Sequence, residues 1–427
     1  MSQISISPNQ TALPLPLPLP RVSVVIPTYN CAQYIVQTLE SVFAQSVSSS
    51  TYEVLVVDDG STDHTRALLA PYIEQKRIQY VYQRNQGESV ARNQAIRMAR
   101  GEYVAFLDSD DWWLSDKLAQ QLEAMDAHPN AVLAYGYVFV VNNDGERIDF
   151  RGMQQHGDGI PGESHVFERL VISNFITNPN SVMVRRAALL RTGLFDEEIE
   201  WGEDWQLWLQ MALQGPFLFM PAELACYRMR RPGRRLEIES SSAFVDQNEL
   251  ILARTFKLIE QLPLEQRTVL LRYKAPAYRE LWLRSGLYNV ESGDLPAAAR
   301  YFQQAWQIDP DLNQSSNIAS FVQQVAHIGL RLAQENQDFV VGERFISQTF
   351  AQLPVQAALS KAQCAKAMAE LHMAAAFAAS AQSQYARTRQ HVFAAIRNDP
   401  ASVGNRGLLV IGIKAVIGRG DGAKVTE

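Results

Sequence analysis

Three carboxylates follow one apolar run. In FLDSDDWW, residues 106–113, Asp108, Asp110 and Asp111 come directly after a segment that reads as a buried strand and before two tryptophans. Asp108 and Asp110 are two apart, so in extended backbone their side chains leave the same side. Paired hard oxygen ligands with open positions suit Mg2+ or Mn2+ bridging phosphates, and such an ion can stabilise a departing diphosphate as a Lewis acid. The competing reading is an acidic turn. Trp112 and Trp113 read as packing residues.

Other acids raise the same choice. Asp58 and Asp59 stand in VVDDGSTD (56–63). A turn would explain an isolated DDG, with Asp63 capping the next helix. DSDD after the following strand favours a ligand role for Asp59 and leaves Asp58 structural. Glu203 and Asp204 open the apolar-periodic WQLWLQMAL. There an acid favours the helix dipole by ~0.3–1 kcal/mol, and on spacing alone that role is the better reading than catalysis. YRMRRPGRR (227–235) is the most positive stretch. A basic arm over a diphosphate, an anionic membrane surface and a solvated loop all fit it. Arg228 is the first choice for an arginine on phosphate.

The elements that must hold these residues alternate in type. VSVVIP (22–27), EVLVVDD (53–59), EYVAFLD (102–108) and a weaker IQYVYQ (78–83) read as strands. The three stronger ones are apolar on both faces, as in a mainly parallel sheet covered by helices. CAQYIVQTLESVFAQ (31–45) places Ile35, Leu39, Val42 and Phe43 on one helical stripe, and ESVARNQAIRMARG (88–101) ends on Gly101, read as its C-cap. This alternation predicts a doubly wound α/β layer. In such layers ligands bind beyond the carboxyl ends of the strands. There PTYN (27–30), DDGSTD (58–63) and DSDD (108–111) converge on one crevice. The first turn lacks GxGxxG and GxxxxGK[ST], so the backbone cradles no phosphate in those ways.

Past residue 240 strand signals fade. In WLRSGLYNVESGDLPAAARYFQQAWQIDP, residues Trp282, Gly286, Ala298, Phe302, Ala305 and Pro310 resemble a tetratricopeptide helix hairpin, from which Ser285 and Asn289 depart. A degenerate copy ends AAIRNDP, but Pro310 and Pro400 are 90 residues apart, no multiple of the usual ~34-residue period. The expected organisation is a Pro-rich disordered tail over 1–20, an α/β domain over 21–244 and an all-α domain with tetratricopeptide-like hairpins over 245–427.

Composition narrows the class. A formal charge of −6 argues against broad nucleic-acid binding. Cys31, Cys226 and Cys364 show no CxxC spacing; neither a disulfide framework nor a zinc site is expected, and a reducing cytosol fits. The N-terminus lacks a secretory pattern. No apolar run reaches the ~18 residues of a span. GLLVIGIKAVIG (407–418) reads as a packed or interfacial helix, leaving a cytoplasmic protein with possible peripheral contact at the inner membrane face.

In order and spacing, VSVVIPTYN, VVDDGSTD, NQGESVARN and FLDSDD resemble family 2 glycosyltransferases of the GT-A fold, a Rossmann-like nucleotide-diphospho-sugar transferase architecture. SVMVRRAALLRTGLFDEEIEWGEDWQLWLQMA (181–212) resembles that family's acceptor-side block. Carried over by position, the resemblance implies nucleotide-sugar contacts from Pro27, Tyr29, Asn30, Asp59 and Arg92. Asp59 would read a uracil-like base edge, and Arg92 would help hold that base. Asp108 would lie against ribose and metal, Asp110 would ligate Mn2+ or Mg2+, and Asp204 would be the general base with Glu203 as runner-up. The implied function is inverting transfer from a nucleotide-diphosphate sugar, UDP-linked, to a saccharide or lipid-linked acceptor, in polysaccharide or glycoconjugate synthesis. The helical half would bind acceptor, protein partner or a second copy. The rivals are a sugar nucleotidyltransferase, which wants a glycine- and arginine-rich first loop that PTYNCAQY lacks, and an inactive scaffold acting through the helical half.

Overall fold

The computed structural model describes residues 19–148, 162–176, 178–230, 234–355, 357 and 361–417. Most of the Pro-rich N-terminal tail therefore lies outside the described residues. Contacts divide the chain into two units, residues 1–170 with 174–230, and 171–173 with 231–427. The division falls at 230/231 rather than at 244.

The first unit alternates as its apolar runs require: β1 (Val22–Thr28), α1 (Ile35–Phe43), β2 (Tyr52–Asp58), α2 (Thr65–Glu74), β3 (Gln79–Tyr82), α3 (Glu88–Met98), β4 (Tyr103–Phe106), β5 (Trp112–Trp113), α4 (Lys117–Ala127), β6 (Leu133–Val141), β7 (Arg147–Ile148), β8 (Gly162–Ser164), α5 (Phe167–Leu170), β9 (Met183–Arg185), α6 (Arg186–Leu189), α7 (Glu203–Ala212) and β10 (Phe217–Arg228). The main path of the sheet runs β3-β2-β1-β4-β9-β6-β10-β5. β1 pairs in parallel with β2 and β4, and β2 with β3. β9 runs antiparallel to β4 and β6, so the far half of the sheet is mixed. β1 is buried along its whole length, and Ile35, Leu39 and Val42 of α1 pack onto it with Val24, Ile26, Val54 and Val56.

One local expectation, Pro27 inside the first strand, holds, and one, Gly101 as a helix cap, changes. β1 keeps Pro27 because pairing with β4 ends at Val25, so the missing N–H costs no ladder bond to that strand. α3 ends at Met98 with Ala99 as its cap, so Gly101 is not the C-cap. A Cβ on Gly101 would lie 2.6 Å from the Ser23 nitrogen and 2.8 Å from the Val22 carbonyl carbon. The glycine is there for the close approach of β1.

The second unit is helical: α8 (Arg234–Glu239), α9 (Ser242–Ile259), α10 (Leu264–Leu270), α11 (Lys274–Ser292), α12 (Leu295–Ile308), α13 (Ser315–Glu335), α14 (Phe339–Ala351), α15 (Lys361–Ala381), α16 (Tyr385–Asn398) and α17 (Arg406–Ile417). α11 and α12 form the hairpin read from sequence, with Asp294 accepting the Ala297 N–H at 3.0 Å. α15 and α16 form the second. α13 and α14 form a further one between them, packed where Gly342 meets the Gly329 carbonyl. The 90 residues from Pro310 to Pro400 thus hold two long hairpins, which is why a ~34-residue period missed them. No described helix is long and apolar enough to cross a membrane.

Candidate functional site

The carboxyl ends of β1, β2 and β4 carry the polar turns together, as their parallel register requires. At the β1 end, Asn30 adopts a left-handed φ of 50°. Its side-chain oxygen accepts the Thr62 N–H at 2.8 Å, and its own N–H donates to Ser61 Oγ at 2.9 Å. Asn30 thereby ties the first turn to the second, and Tyr29 beside it stands exposed. Asp63 accepts from the Ala32 N–H and the Thr65 N–H, joining the start of α2 to the same turn.

The two β2 acids differ in use. Asp58 is fully buried and accepts from the Ser61 N–H and the Tyr80 hydroxyl, both at 2.8 Å. Asp59 accepts from Gln83 Nε2 at 2.7 Å and from the Gln86 and Gly87 N–H groups at 2.9 Å. It shapes the loop that enters α3. Gly87, with φ 99°, makes that entry turn.

α3 then presents Arg92. Its guanidinium is 3% exposed and reaches Glu88 at 2.7 Å, Asp108 at 2.8 Å and Glu203 at 2.9 Å. Burial works against its charge, but the three carboxylates outweigh that and hold the group firmly protonated. Glu88 is half-exposed, so water screens that contact; Asp108 and Glu203 are the close partners.

The DSDD turn divides its acids. Asp111 is buried and structural: its carboxylate takes the Arg228 N–H at 2.6 Å and the Asn180 amide. Burial, then Asp110 and Asp108, push its pKa well up. Asp108 and Asp110 remain 19% and 16% exposed. Burial raises Asp110, the Arg230 guanidinium paired with it opposes this, and Asp108 adds to it. Trp113 is buried, and its indole N–H donates to the Asn180 carbonyl at 2.9 Å.

On the facing side, Gly202 at φ 82° turns the chain into α7. Glu203 is held on Arg92, and Asp204 accepts its neighbour Trp205 N–H at 2.6 Å. Burial pushes Glu203 up to about 7, with Arg92 opposing and Asp204 adding. Burial also pushes Asp204 up to about 6; the Trp205 N–H and Arg92 oppose, while Asp108 and Glu88 add. Both acids therefore exchange protons near neutrality, the range a general base needs.

Two arginines alternate along the strand end. Arg228 is buried, with Nε on the Asp110 carbonyl at 3.1 Å, one terminal nitrogen on the Asn143 carbonyl and the other on Gln37, both at 2.8 Å. It lies between the Tyr34 and Trp112 rings, at 4.6 and 5.0 Å from their centroids. Arg230 is half-exposed and pairs with the Asp110 carboxylate. Sequence reasoning passed over Arg230, and also Asn180. Asn180 accepts the Asp108 N–H at 2.7 Å and donates to Asp111, so it holds the acidic turn from a distant loop. An amide in NPN between two apolar runs was the available signal.

Residues 23–197 match the family model described as glycosyl transferase family 2. This segment is a family 2 glycosyltransferase domain. A stretch of 209 residues, 49% of this chain, is 33% identical to an uncharacterized glycosyltransferase of Rickettsia felis, covering 33% of that protein. A putative teichuronic acid biosynthesis glycosyltransferase, TuaG of Bacillus subtilis, is 46% identical over 30% of this chain and 50% of its own length. A chondroitin synthase of Escherichia coli is 32% identical over 57% of this chain and 34% of its own. The chain thus spans about a third to a half of these curated relatives. Among solved structures, S. aureus TarS 1–349 aligns with TM-score 0.53 at 20% identity, over 78% of this chain and 92% of that one. The same fragment in complex with UDP-GlcNAc aligns with TM-score 0.51 at 20% identity, again over 78% of this chain and 92% of that one. The glycosyltransferase domain has the GT-A fold, a Rossmann-like sheet with helices, and an all-α region follows it.

Proposed function

We propose that this chain transfers a sugar from a nucleotide-diphosphate donor, UDP-linked, to a hydroxyl of a saccharide or lipid-linked acceptor. The observation that carries the reading is the Arg92 hub. One buried guanidinium joins Asp108, on the donor side, to Glu203, beside the Asp204 of the acceptor-side helix. UDP-GlcNAc bound to TarS and the polysaccharide-synthesis names of TuaG and chondroitin synthase point to the same substrate class.

In the proposed reaction Asp204 takes the proton of the acceptor hydroxyl. That oxygen forms a bond to the anomeric carbon as the bond to the diphosphate oxygen breaks, a single displacement that inverts the centre. Glu203 is tethered to Arg92, which leaves Asp204 the freer base. Tyr29, with Pro27 and Asn30 in the same turn, and Asp59 through the loop it shapes would receive the nucleoside. Arg230, more exposed than Arg228, would meet the diphosphate, while Arg228 braces the acidic turn.

Among the described residues no group of three or more His, Cys, Asp or Glu side chains could hold a metal ion. Two partly exposed carboxylates fit Mn2+ or Mg2+ when diphosphate oxygens complete the set, as is usual for Mg2+ at phosphates. Asp110, with Asp108 beside it, would hold the ion, which would supply charge neutralisation at the leaving diphosphate.

The test is a thermal-shift panel of nucleotide sugars with and without Mn2+, followed by turnover with the ligand that shifts. A bound ligand at 100 times its Kd stabilises by about 2.7 kcal/mol. Asp110→Ala should remove the metal-dependent part of the shift. Asp204→Asn should keep the shift and lose transfer by about 100-fold or more. Full transfer by Asp204→Asn, with transfer abolished in Glu203→Gln, would overturn the base assignment.

A further inference from the structure

Among the described residues, the last helix of the helical unit is apolar on both faces. On one face of α17, Leu408 and Ala415 are fully buried and Ile411 packs with Ala376, Val392 and Ala395. On the other, Leu409, Val410, Ile413 and Val416 are 37–57% exposed, at the i, i+1, i+4, i+7 spacing of one stripe. Phe377 flanks the first turn, with ring atoms 3.1–3.2 Å from where a Cβ on Gly407 would stand, and is itself 40% exposed. Phe393, on the α16 helix against which α17 packs, is 66% exposed. Isolated exposed apolar residues need no explanation, but a continuous stripe does.

Charge indicates what covers it. Residues 361–427 contain nine Lys or Arg and four Asp or Glu, a net +5 in a chain of net −6, so the first 360 residues carry −11. Within α16 and α17 the charged residues are Arg387, Arg389, Arg397, Arg406 and Lys414, with no acid among them. Arg389 is committed to the Ala415 carbonyl at 2.6 Å and fastens α17 to α16. A second copy of so positive an end would repel the first, whereas an anionic lipid surface attracts it. An exposed apolar stripe with basic neighbours and no acid is the make-up of a helix lying in the plane of a membrane interface.

We propose that α17, with Phe377 and Phe393, docks the chain on the surface of an anionic lipid bilayer. Ile413 and Val416 enter the headgroup–acyl boundary, and Arg387, Arg406 and Lys414 meet lipid phosphates. The proposal does not depend on the sugar-transfer reading, and its test needs no activity.

The test is flotation of the full chain with phosphatidylcholine vesicles, with and without about one-third phosphatidylglycerol. The anionic vesicles should bind the chain about tenfold or more tightly than neutral ones, and binding should weaken between about 0.1 M and about 0.5 M salt. Ile413→Glu with Val416→Glu should lower partition about tenfold or more while helix content stays unchanged. If that pair disturbs folding, Arg406→Gln with Lys414→Gln leaves the apolar stripe intact and should lose about fivefold per charge. Absence of binding to anionic vesicles would overturn the proposal. So would charge variants that partition like the parent, or light scattering that shows a dimer dissolved by the Ile413/Val416 pair without vesicle binding.

Discussion

Replacing Arg92 by methionine keeps about the length of its apolar stem and removes its charge from among the acids. The guanidinium is 3% exposed and lies 2.8 Å from Asp108 and 2.9 Å from Glu203. Deleting one partner of a buried ionic set leaves uncompensated carboxylates and costs about 3–5 kcal/mol at neutral pH. Glu88, half-exposed, adds little. The loss should depend on pH. Glu203 and Asp204 titrate near 7 and near 6, above the ordinary carboxyl range, so the folded state holds protons that the unfolded state has released. Their contribution to stability is therefore complete in acid and is lost as pH rises through about 6 and then about 7. Arg92 opposes both shifts, so its removal raises both groups further. Each added unit is worth about 1.4 kcal/mol. The destabilisation by Arg92→Met should accordingly grow by about 1.4–3 kcal/mol between pH 5 and pH 8. Denaturant unfolding at the two pH values, followed on the tryptophan fluorescence of the α/β unit, measures it. An equal loss at both, or a larger one in acid, would refute the view of Arg92 as the counter-charge of these acids.

Asn180→Ala should cost about 2–4 kcal/mol, since it strands the Asp108 N–H and the Asp111 carboxylate in a buried setting; denaturant unfolding reads it, and donor binding should weaken in parallel. Arg228→Lys should destabilise by about 2 kcal/mol or more, because a single ammonium cannot serve Gln37, Asn143 and the Asp110 carbonyl together. Arg230→Lys should change stability by no more than about 1 kcal/mol yet weaken nucleotide-sugar binding, and calorimetry separates the two arginines. Gly286→Ala places a methyl 2.4 Å from Phe302 Cε1, and the α11–α12 hairpin should lose about 1–3 kcal/mol by overpacking, measured by thermal unfolding.

Local pattern made the acidic strand ends legible. Period and β-branching located β1, β2 and β4 because a strand buried on both faces must be apolar throughout, and the polar residues that end it stand out. Helix chemistry located α3 and α7 for similar reasons. The helical half was readable only where a hairpin kept its small-to-large contact, Gly286 against Phe302. The α13–α14 hairpin uses Gly329 and Gly342 in another register and left no repeat to find.

What the sequence by itself determined is which acids end which strands, and hence that acidic turns gather at the carboxyl ends of an α/β sheet. Its motifs, in order, also implied the family. Tertiary structure decided how those acids are employed. Asp59 shapes a loop, Asp111 anchors β10, Asp108 leans on Arg92, and Asp110 faces Arg230. These roles depend on partners 16 to 120 residues away, as in Arg92 with Asp108 and Arg230 with Asp110. Period and propensity report on neighbours within a turn or a strand. They carry no information on which of two arginines a fold will turn inward, because that depends on burial and hydrogen-bond accounting across the whole sheet.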